Sequence, residues 1–152
     1  MDVKLLNPFI QSFDSVMPQL GFGSTRQGEL AEREQEIEFT GVVMIVGIVG
    51  AIKGNAVYCL DDASAKAIAS NMMMGMPVDE LDEMAKSALS ELSNMLTATA
   101  ATFLSEGGLH IDISTPTVLY GESMKVKMGS KKVKGVKLFA DDVTVDINIA
   151  VE

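Results

Sequence analysis

The stretch SALSELSNML, residues 87–96, lies in the middle of the longest helical pattern in the chain. This pattern covers residues 80–106, and Asp79 before it is a residue type that commonly caps a helix N-terminus. Two glycines, residues 107–108, follow the pattern, and glycine commonly ends a helix. The sequence therefore predicts a helix of roughly seven turns, at about 3.6 residues per turn.

The two sides of this predicted helix differ when its residues are placed at intervals of about 100° around a wheel. The apolar side, which we expect to pack on a β-sheet, contains Leu81, Met84, Ala88, Leu92, Met95, Thr99 and Phe103. The adjacent polar stripe contains Ser87, Glu91, Asn94 and Ala98. Within this stripe, Glu91 and Asn94 are neighbours at i, i+3. Such a pair usually just faces solvent, so the E-x-x-N pattern is a weak indication of function by itself, although it occurs only once in the chain.

The segment between residues 36 and 77 predicts strands followed by a shorter helix. A strand is expected from about Glu36, and the β-branched run up to Gly50 is followed by a second such run over residues 51–60. An aspartate, Asp61 or Asp62, then precedes a helix rich in alanine and methionine that ends near Gly75 and Pro77. We expect the methionines of ASNMMMGM to fill the core, although methionine clusters also form adaptable binding surfaces.

The two ends of the chain complete the prediction of the fold. Apolar residues at helical spacing indicate a helix over residues 3–17, and residues 21–28 read as a glycine-rich turn region. Residues 109–152 alternate apolar and polar side chains in several short runs, as half-buried strands do. Two groups of strands separated by two helices predict an α+β fold, an antiparallel sheet covered by helices, in a single domain over residues 1–152.

Composition excludes several classes of partner. The chain has 152 residues, of which 47% are hydrophobic and 22% charged, as in folded soluble proteins. Its net charge of −9 argues against nucleic acid or an anionic membrane as a partner, since both require basic surface. The longest apolar run, GVVMIVGIVGAI, is too short to span a membrane.

Cys59 is the single cysteine of the chain, and it lies in the strand-like run NAVYCL. It cannot form an internal disulfide, and no metal-ligand spacing surrounds it. We therefore expect a buried free thiol and a cytoplasmic protein with no metal site of its own.

Four residues around the long helix resemble the signature of the CheC/CheX family of chemotaxis phosphatases. That signature is a Ser or Asp, three residues, a Glu, two residues, an Asn, and a proline further along the chain. Ser87, Glu91, Asn94 and Pro116 occupy these positions here, the last in ISTPTVLYG. The lead-in VGIVGAIKGNAVYCLDDASAKAIASNMMMGM is similar to that of the family as well. A single copy of the motif is typical of the CheX branch, whereas CheC proteins commonly carry two sites.

The resemblance implies a CheC-like two-layer fold and a function. Members of the family hydrolyse the aspartyl phosphate of CheY-like response regulators in chemotaxis. Asn94 would orient the attacking water, Glu91 would pair with a lysine of the regulator, and Ser87 and Pro116 would support the site. No cofactor is expected beyond the Mg²⁺ that the regulator itself carries. The family also implies a homodimer, formed by joining sheets at an edge strand.

A non-enzymatic function is the alternative interpretation of the same sequence. The same scaffold could dock a response regulator, or a component of the flagellar switch, without hydrolysing it. The presence of both Glu91 and Asn94 favours the enzyme, because a pure adaptor does not need both side chains.

Overall fold

A computed structural model describes residues 3–152, with side chains from Leu5 onwards. The side chain of Val3, the first apolar residue of the predicted helix, lies outside the described side chains. A short 3-10 turn at Val3–Leu6 leads into the first helix. The elements that follow are α1 (Asn7–Gln19), β1 (Thr25–Arg33), β2 (Glu36–Gly50), β3 (Gly54–Leu60), α2 (Asp62–Met72), α3 (Glu83–Glu106), β4 (Ile111–Ile113), β5 (Thr117–Lys127), β6 (Val133–Ala140) and β7 (Val143–Val151).

The strands form one sheet in which each paired strand is antiparallel to its neighbour. Their order is β1-β6-β7-β3-β2-β4, and β5 also pairs with β2. β4 pairs with the last residues of β2 and β5 with the earlier ones, so both lie along the same side of β2. The predicted α+β fold with an antiparallel sheet covered by helices is therefore confirmed.

One face of the sheet carries the main hydrophobic core beneath the three helices. β7 contributes every second residue to this core, which is the period of a strand. These residues are Val143, Val145, Ile147, Ile149 and Val151, as the sequence predicts. Burying them against α1, α2 and α3 removes apolar surface from water, which is the main favourable term in folding.

The opposite face of the sheet carries a smaller cluster that contains Cys59. β2 has a β-bulge between Phe39 and Gly41, and a bulge bends the strand that contains it. Gly41 has φ of +132°, and a Cβ there would collide with the carbonyl oxygen of Leu60. Ile37 and Phe39, which precede the bulge, pack against the cluster that covers Cys59. The thiol is 2% exposed, as expected, and its burial raises its pKa to about 12.

β1 occupies a segment that the sequence analysis assigned partly to a turn region. Thr25–Arg33 has no apolar alternation, and most of its side chains are exposed. Its strand conformation comes from backbone pairing with β6 at the edge of the sheet. The side chain of Arg33 also contacts β7. The Arg33 guanidinium donates to both carboxylate oxygens of Asp146 at 2.9 and 3.1 Å, and to the Asn148 side chain at 3.0 Å. The prediction of a turn over residues 25–28 is thus wrong, because tertiary contacts override a weak local preference.

In residues 3–152 we find no helix with the length and hydropathy needed to cross a membrane.

Candidate functional site

The candidate site lies on α3, and residues at each end of this helix cap it. The Asp82 side chain accepts a hydrogen bond from the backbone N–H of Ala85 at 2.9 Å, so the helix begins three residues later than predicted. At the other end, the N–H of Leu109 donates to the carbonyl of Leu104 at 2.9 Å across Gly108, which has φ of +90°. This is a Schellman motif, and glycine takes the left-handed conformation that it requires.

The buried face of α3 is rotated relative to the apolar arc that the wheel predicted. Its buried apolar residues are Ala85, Leu89, Leu92, Leu96, Ala100 and Leu104. The predicted arc is correct for Leu81 and Leu92, which are buried, and for Ala88 and Met95, which pack half-buried against the core. It is wrong for Met84, which is 62% exposed. Two polar residues, Ser93 and Thr97, are buried instead, because their hydroxyls donate to the carbonyls of Ser90 and Ser93 within the same helix.

Two buried hydrogen bonds fasten the middle of α3 to its surroundings. The hydroxyls of Thr97 and Tyr58 are 2.7 Å apart and join the helix to β3 of the sheet. The Ser12 hydroxyl of α1 donates to the carbonyl of Leu96 at 2.5 Å. Because both bonds lie within one turn of Asn94, they fix how far α3 is rotated and therefore which side chains face outward.

The opposite side of α3 presents the predicted stripe to solvent. Ser87 and Glu91 are exposed, and Asn94 and Ala98 are half-buried. Among the described residues, neither Glu91 nor Asn94 forms a side-chain hydrogen bond, and Glu91 takes part in no ion pair. The structure therefore brings Ser87, Glu91 and Asn94 onto one accessible face, with the carboxylate and the amide free to bind another molecule.

Pro116 lies beside this face, in the interruption between β4 and β5. Ile113 and Thr117 pair with Ile48 and Ile45 of β2, so three residues oppose two at this point. Proline has no N–H to contribute to the ladder, which suits the interruption. Pro116 and Val118 line a shallow depression of about 270 Å³ together with Glu83, Lys86, Ser87 and Ser90. The sequence-predicted Ser87 and Pro116 thus share one surface feature although 29 positions separate them.

A second polar group near this surface escaped the sequence analysis. Tyr120, two residues after Val118 on β5, donates its hydroxyl to Asp62 at 3.1 Å. Lys66 also pairs with Asp62, at 2.8 Å, and this hydrogen bond lowers the pKa of the Asp62 carboxyl. The pair of Lys66 and Asp62 has the i, i+4 spacing of a helix and can be predicted from sequence. The contact of Asp62 with Tyr120 joins distant parts of the chain and cannot.

The chemistry available to the stripe is that of one carboxylate and one amide about one helical turn apart. An ionised carboxylate accepts hydrogen bonds and attracts a cation, whereas an amide both donates and accepts without adding charge. In residues 3–152, no group of three or more His, Cys, Asp or Glu side chains is arranged to hold a metal ion. The stripe lies on the outer side of a helix beside a shallow depression, and its carboxylate and amide are open to another molecule.

Comparison with known sequences gives a family match and a curated relative. The family model described as chemotaxis phosphatase CheX matches residues 42–139. A protein from Thermotoga maritima named CheY-P phosphatase CheX is 34% identical over 128 residues, which cover 84% of this chain and 82% of that protein. The match to the family includes α3 and Pro116.

Comparison with solved structures extends the likeness to the whole chain. A CheC-like superfamily protein from Shewanella sp. PV-4 has a TM-score of 0.88 and 24% identity, and the match covers 100% of this chain and 99% of that one. A complex of CheX with CheY, BeF3 and Mg²⁺ from Borrelia burgdorferi gives a TM-score of 0.83 and 25% identity, with 99% of each chain covered. The fold of these structures is the fold described above.

Proposed function

We propose, because this chain belongs to the CheX family of chemotaxis phosphatases, that it hydrolyses the phosphoaspartate of a CheY-like response regulator. The observation that carries this proposal is the stripe on α3, where an exposed Glu91 and a half-buried Asn94 have no side-chain partner among the described residues. The other side of the helix is fixed by buried hydrogen bonds. A curated relative is named for the same activity, and a relative of the same fold has been solved together with CheY.

Asn94 is proposed to orient the attacking water. Phosphoryl transfer passes through a loose, in-line transition state, so a catalyst acts mainly by positioning and by stabilising charge. The Asn94 amide can accept a hydrogen bond from the water and donate one to it, and it brings no negative charge towards the phosphoryl oxygens. Its half-buried position restricts its rotamers more than full exposure would.

Glu91 is proposed to dock the regulator. A carboxylate beside the phosphoryl group would be repelled by it, so a direct part in the displacement does not suit this residue. Pairing with a lysine of the regulator uses the charge favourably, and no cation of the described part of this chain competes for it. Such a pair would set the register of the complex and thereby place Asn94 against the phosphoryl group.

Ser87 and Pro116 are proposed as positioning residues. They line the same depression beside the stripe, and neither has the chemistry to activate water there. Mg²⁺ would be carried by the regulator, where it would offset charge on the phosphoryl oxygens. A hard cation of this kind prefers carboxylate and water oxygens.

We further propose a cytoplasmic homodimer. The sheet has open edges at β1 and along β4 and β5, and open edges can pair with a second chain. Pairing through β1 would leave the stripe and Pro116 uncovered, so we favour that edge. Sedimentation velocity should show a dimer that Leu30→Lys dissociates, since Leu30 is 39% exposed on β1. A wild-type monomer, or a dimer that this variant does not affect, would contradict the choice.

The activity is tested by mixing the chain with a phosphorylated CheY-like regulator and following the release of inorganic phosphate. We expect the wild type to accelerate release and Asn94→Ala to lose about 100-fold in kcat, as loss of a positioning group commonly does. Binding of the regulator should change little. Absence of acceleration by a wild-type chain that binds the regulator would establish the adaptor in place of the enzyme.

The matched control is Asn71→Ala, which removes another helical asparagine that precedes a methionine. Its side-chain amide donates to the carbonyl of Leu20 at 3.0 Å, so its loss should lower stability and leave kcat unchanged. Equal loss of kcat in both variants would mean that the effect of Asn94→Ala is not specific to the site.

A further inference from the structure

We propose that a methionine-lined groove at the start of α3 is a second contact surface for the same response regulator. It would receive an apolar side chain of the regulator that is flanked by lysine or arginine. This inference rests on the proposed function for the identity of the partner. It adds a contact surface that contains none of the four signature residues.

The groove lies between the end of α2 and the start of α3. Met73, Met76, Val78 and Met84 line it, and its volume is about 420 Å³. Met76 is 55% exposed and Met84 62% exposed. The expectation that the methionines of ASNMMMGM fill the core is correct for Met72, which packs against it, but wrong for Met74 and Met76, which lie in the exposed loop after α2. Exposed apolar side chains gathered in a groove are typical of surfaces that bind another protein.

Met84 makes the groove continuous with the stripe. It stands three residues before Ser87 and seven before Glu91, so these side chains lie on the same side of the helix. Seven residues rise about 10 Å along a helix axis, which is within the footprint of one protein partner. A regulator that places its phosphoryl group against Asn94 and a lysine against Glu91 would therefore also lie close to Met84.

The charges around the groove favour a basic partner. Asp79, Glu80 and Asp82 also line it, and all three are exposed. Among the described residues no lysine lines the groove, and Lys66 of α2 and Lys86 of α3 pair with acidic residues of their own helices, Asp62 and Glu83. A rim of this sign attracts cationic side chains and repels nucleic acid and anionic lipid, so it selects a protein partner with basic residues.

The loop that forms the groove is held by its own hydrogen bonds. The Ser70 hydroxyl donates to the carbonyl of Met76 at 2.8 Å, and the N–H of Gly75 donates to the carbonyl of Ser70 at 2.8 Å. A loop fixed in this way loses less conformational freedom on binding. Methionine side chains remain adaptable within it, since they are unbranched and polarizable.

The test compares three variants in the full-length chain. Met76→Ser/Met84→Ser should raise both KM for the phosphorylated regulator and Kd for the regulator carrying BeF3 by about tenfold, with kcat within about twofold of the wild type. Met74→Ser is the matched control, because Met74 is 96% exposed in the same loop but does not line the groove. Met76→Gln, which keeps the volume of the side chain, provides a milder substitution should the double variant be poorly folded.

The outcomes separate this inference from the proposed function. An unchanged Kd in the double variant and in Met76→Gln would overturn the proposal that the groove contacts the regulator, even if Asn94→Ala had lost its activity. Equal weakening by Met74→Ser would also overturn it, because the loop and not the groove would then be responsible. If the wild type released no phosphate, the proposed hydrolysis would fail, yet a Kd raised by the double variant alone would still support the groove.

Discussion

The two sides of α3 make opposite use of polar residues. On the buried side, the hydroxyls of Ser93 and Thr97 are both hydrogen-bonded, and no buried side-chain polar atom among the described residues lacks a partner. On the exposed side, Glu91 and Asn94 have no such partner in the described part of the chain. The polar groups of the first side are satisfied within the fold, whereas those of the second are left to solvent or to a partner.

This difference indicates where a substitution should affect stability and where it should affect activity. Burial makes an unsatisfied polar group costly, so polar residues on the inner side are fixed by the fold. Solvent satisfies the same groups on the outer side, so those residues can be retained for binding at little cost to the fold. If the two sides are separable, substitutions on the inner side change stability and those on the outer side change activity.

The largest effect is expected from Leu92→Ala, on the buried side. Leu92 is fully buried, so its truncation should lower the free energy of unfolding by about 2–5 kcal/mol. Denaturant unfolding measures the change. Met84→Ala on the same helix is the control and should stay within about 0.5 kcal/mol, since Met84 is exposed. A loss in Met84→Ala as large as that in Leu92→Ala would instead support the predicted apolar arc, which contains both residues.

Thr97→Val should have the next largest effect. It removes the partner of the buried Tyr58 hydroxyl and should cost about 1–3 kcal/mol of stability. Adding Tyr58→Phe removes both polar groups, so the double variant should recover part of the loss, which a double-mutant cycle measures. Strictly additive losses would show that the two hydroxyls do not depend on each other.

High pH should weaken the same contact. Burial raises the pKa of the Tyr58 phenol above its ordinary value of 10. The neutral form is therefore favoured in the folded state, and its stabilisation is complete below pH 10 and lost as pH rises above it. Above pH 10, the free energy of unfolding of the wild type should fall more steeply with pH than that of Tyr58→Phe. The difference in slope should be up to about 1.4 kcal/mol per pH unit. Parallel stability profiles of the two proteins above pH 10 would contradict this.

On the exposed side, Glu91→Gln should raise KM for the phosphorylated regulator by about tenfold, equivalent to about 1.4 kcal/mol, through loss of an ion pair. The difference from wild type should shrink as salt is added, because salt screens exposed charges. Glu106→Gln, which removes an exposed carboxylate at the far end of the same helix, is the control and should change KM by less than about twofold. A salt-independent defect, or a loss of stability in Glu91→Gln, would break the separation between the two sides.

Two strands, β7 and β1, show what a local sequence pattern can and cannot predict in this chain. β7 was predicted because its alternation of apolar residues matches the period of a strand between two packed faces. β1 was not, because an exposed edge strand needs no apolar alternation, and its place depends on β6 and on the contact of Arg33 with Asp146. A partner that distant in sequence leaves no local signal.

The candidate site divides in the same way. The spacing of Ser87, Glu91 and Asn94 is a property of one helix, so a wheel could place them on a common stripe. The closeness of Pro116 to Ser87 depends on how β4 and β5 pair with β2, and only the resemblance to a family suggested it. The groove at Met84 was missed because exposed and buried methionines look alike in a sequence.

By itself, the sequence determined the helices and most strands, the α+β class and the polar stripe, because these follow from periodicity within a single element. The tertiary structure decided how α3 is rotated, through Tyr58 and Ser12, and which of its apolar residues are buried. It also decided that Met76 and Met84 face solvent beside the stripe. The reason is that packing between elements depends on contacts between residues far apart in the chain, and a local pattern holds no information about them.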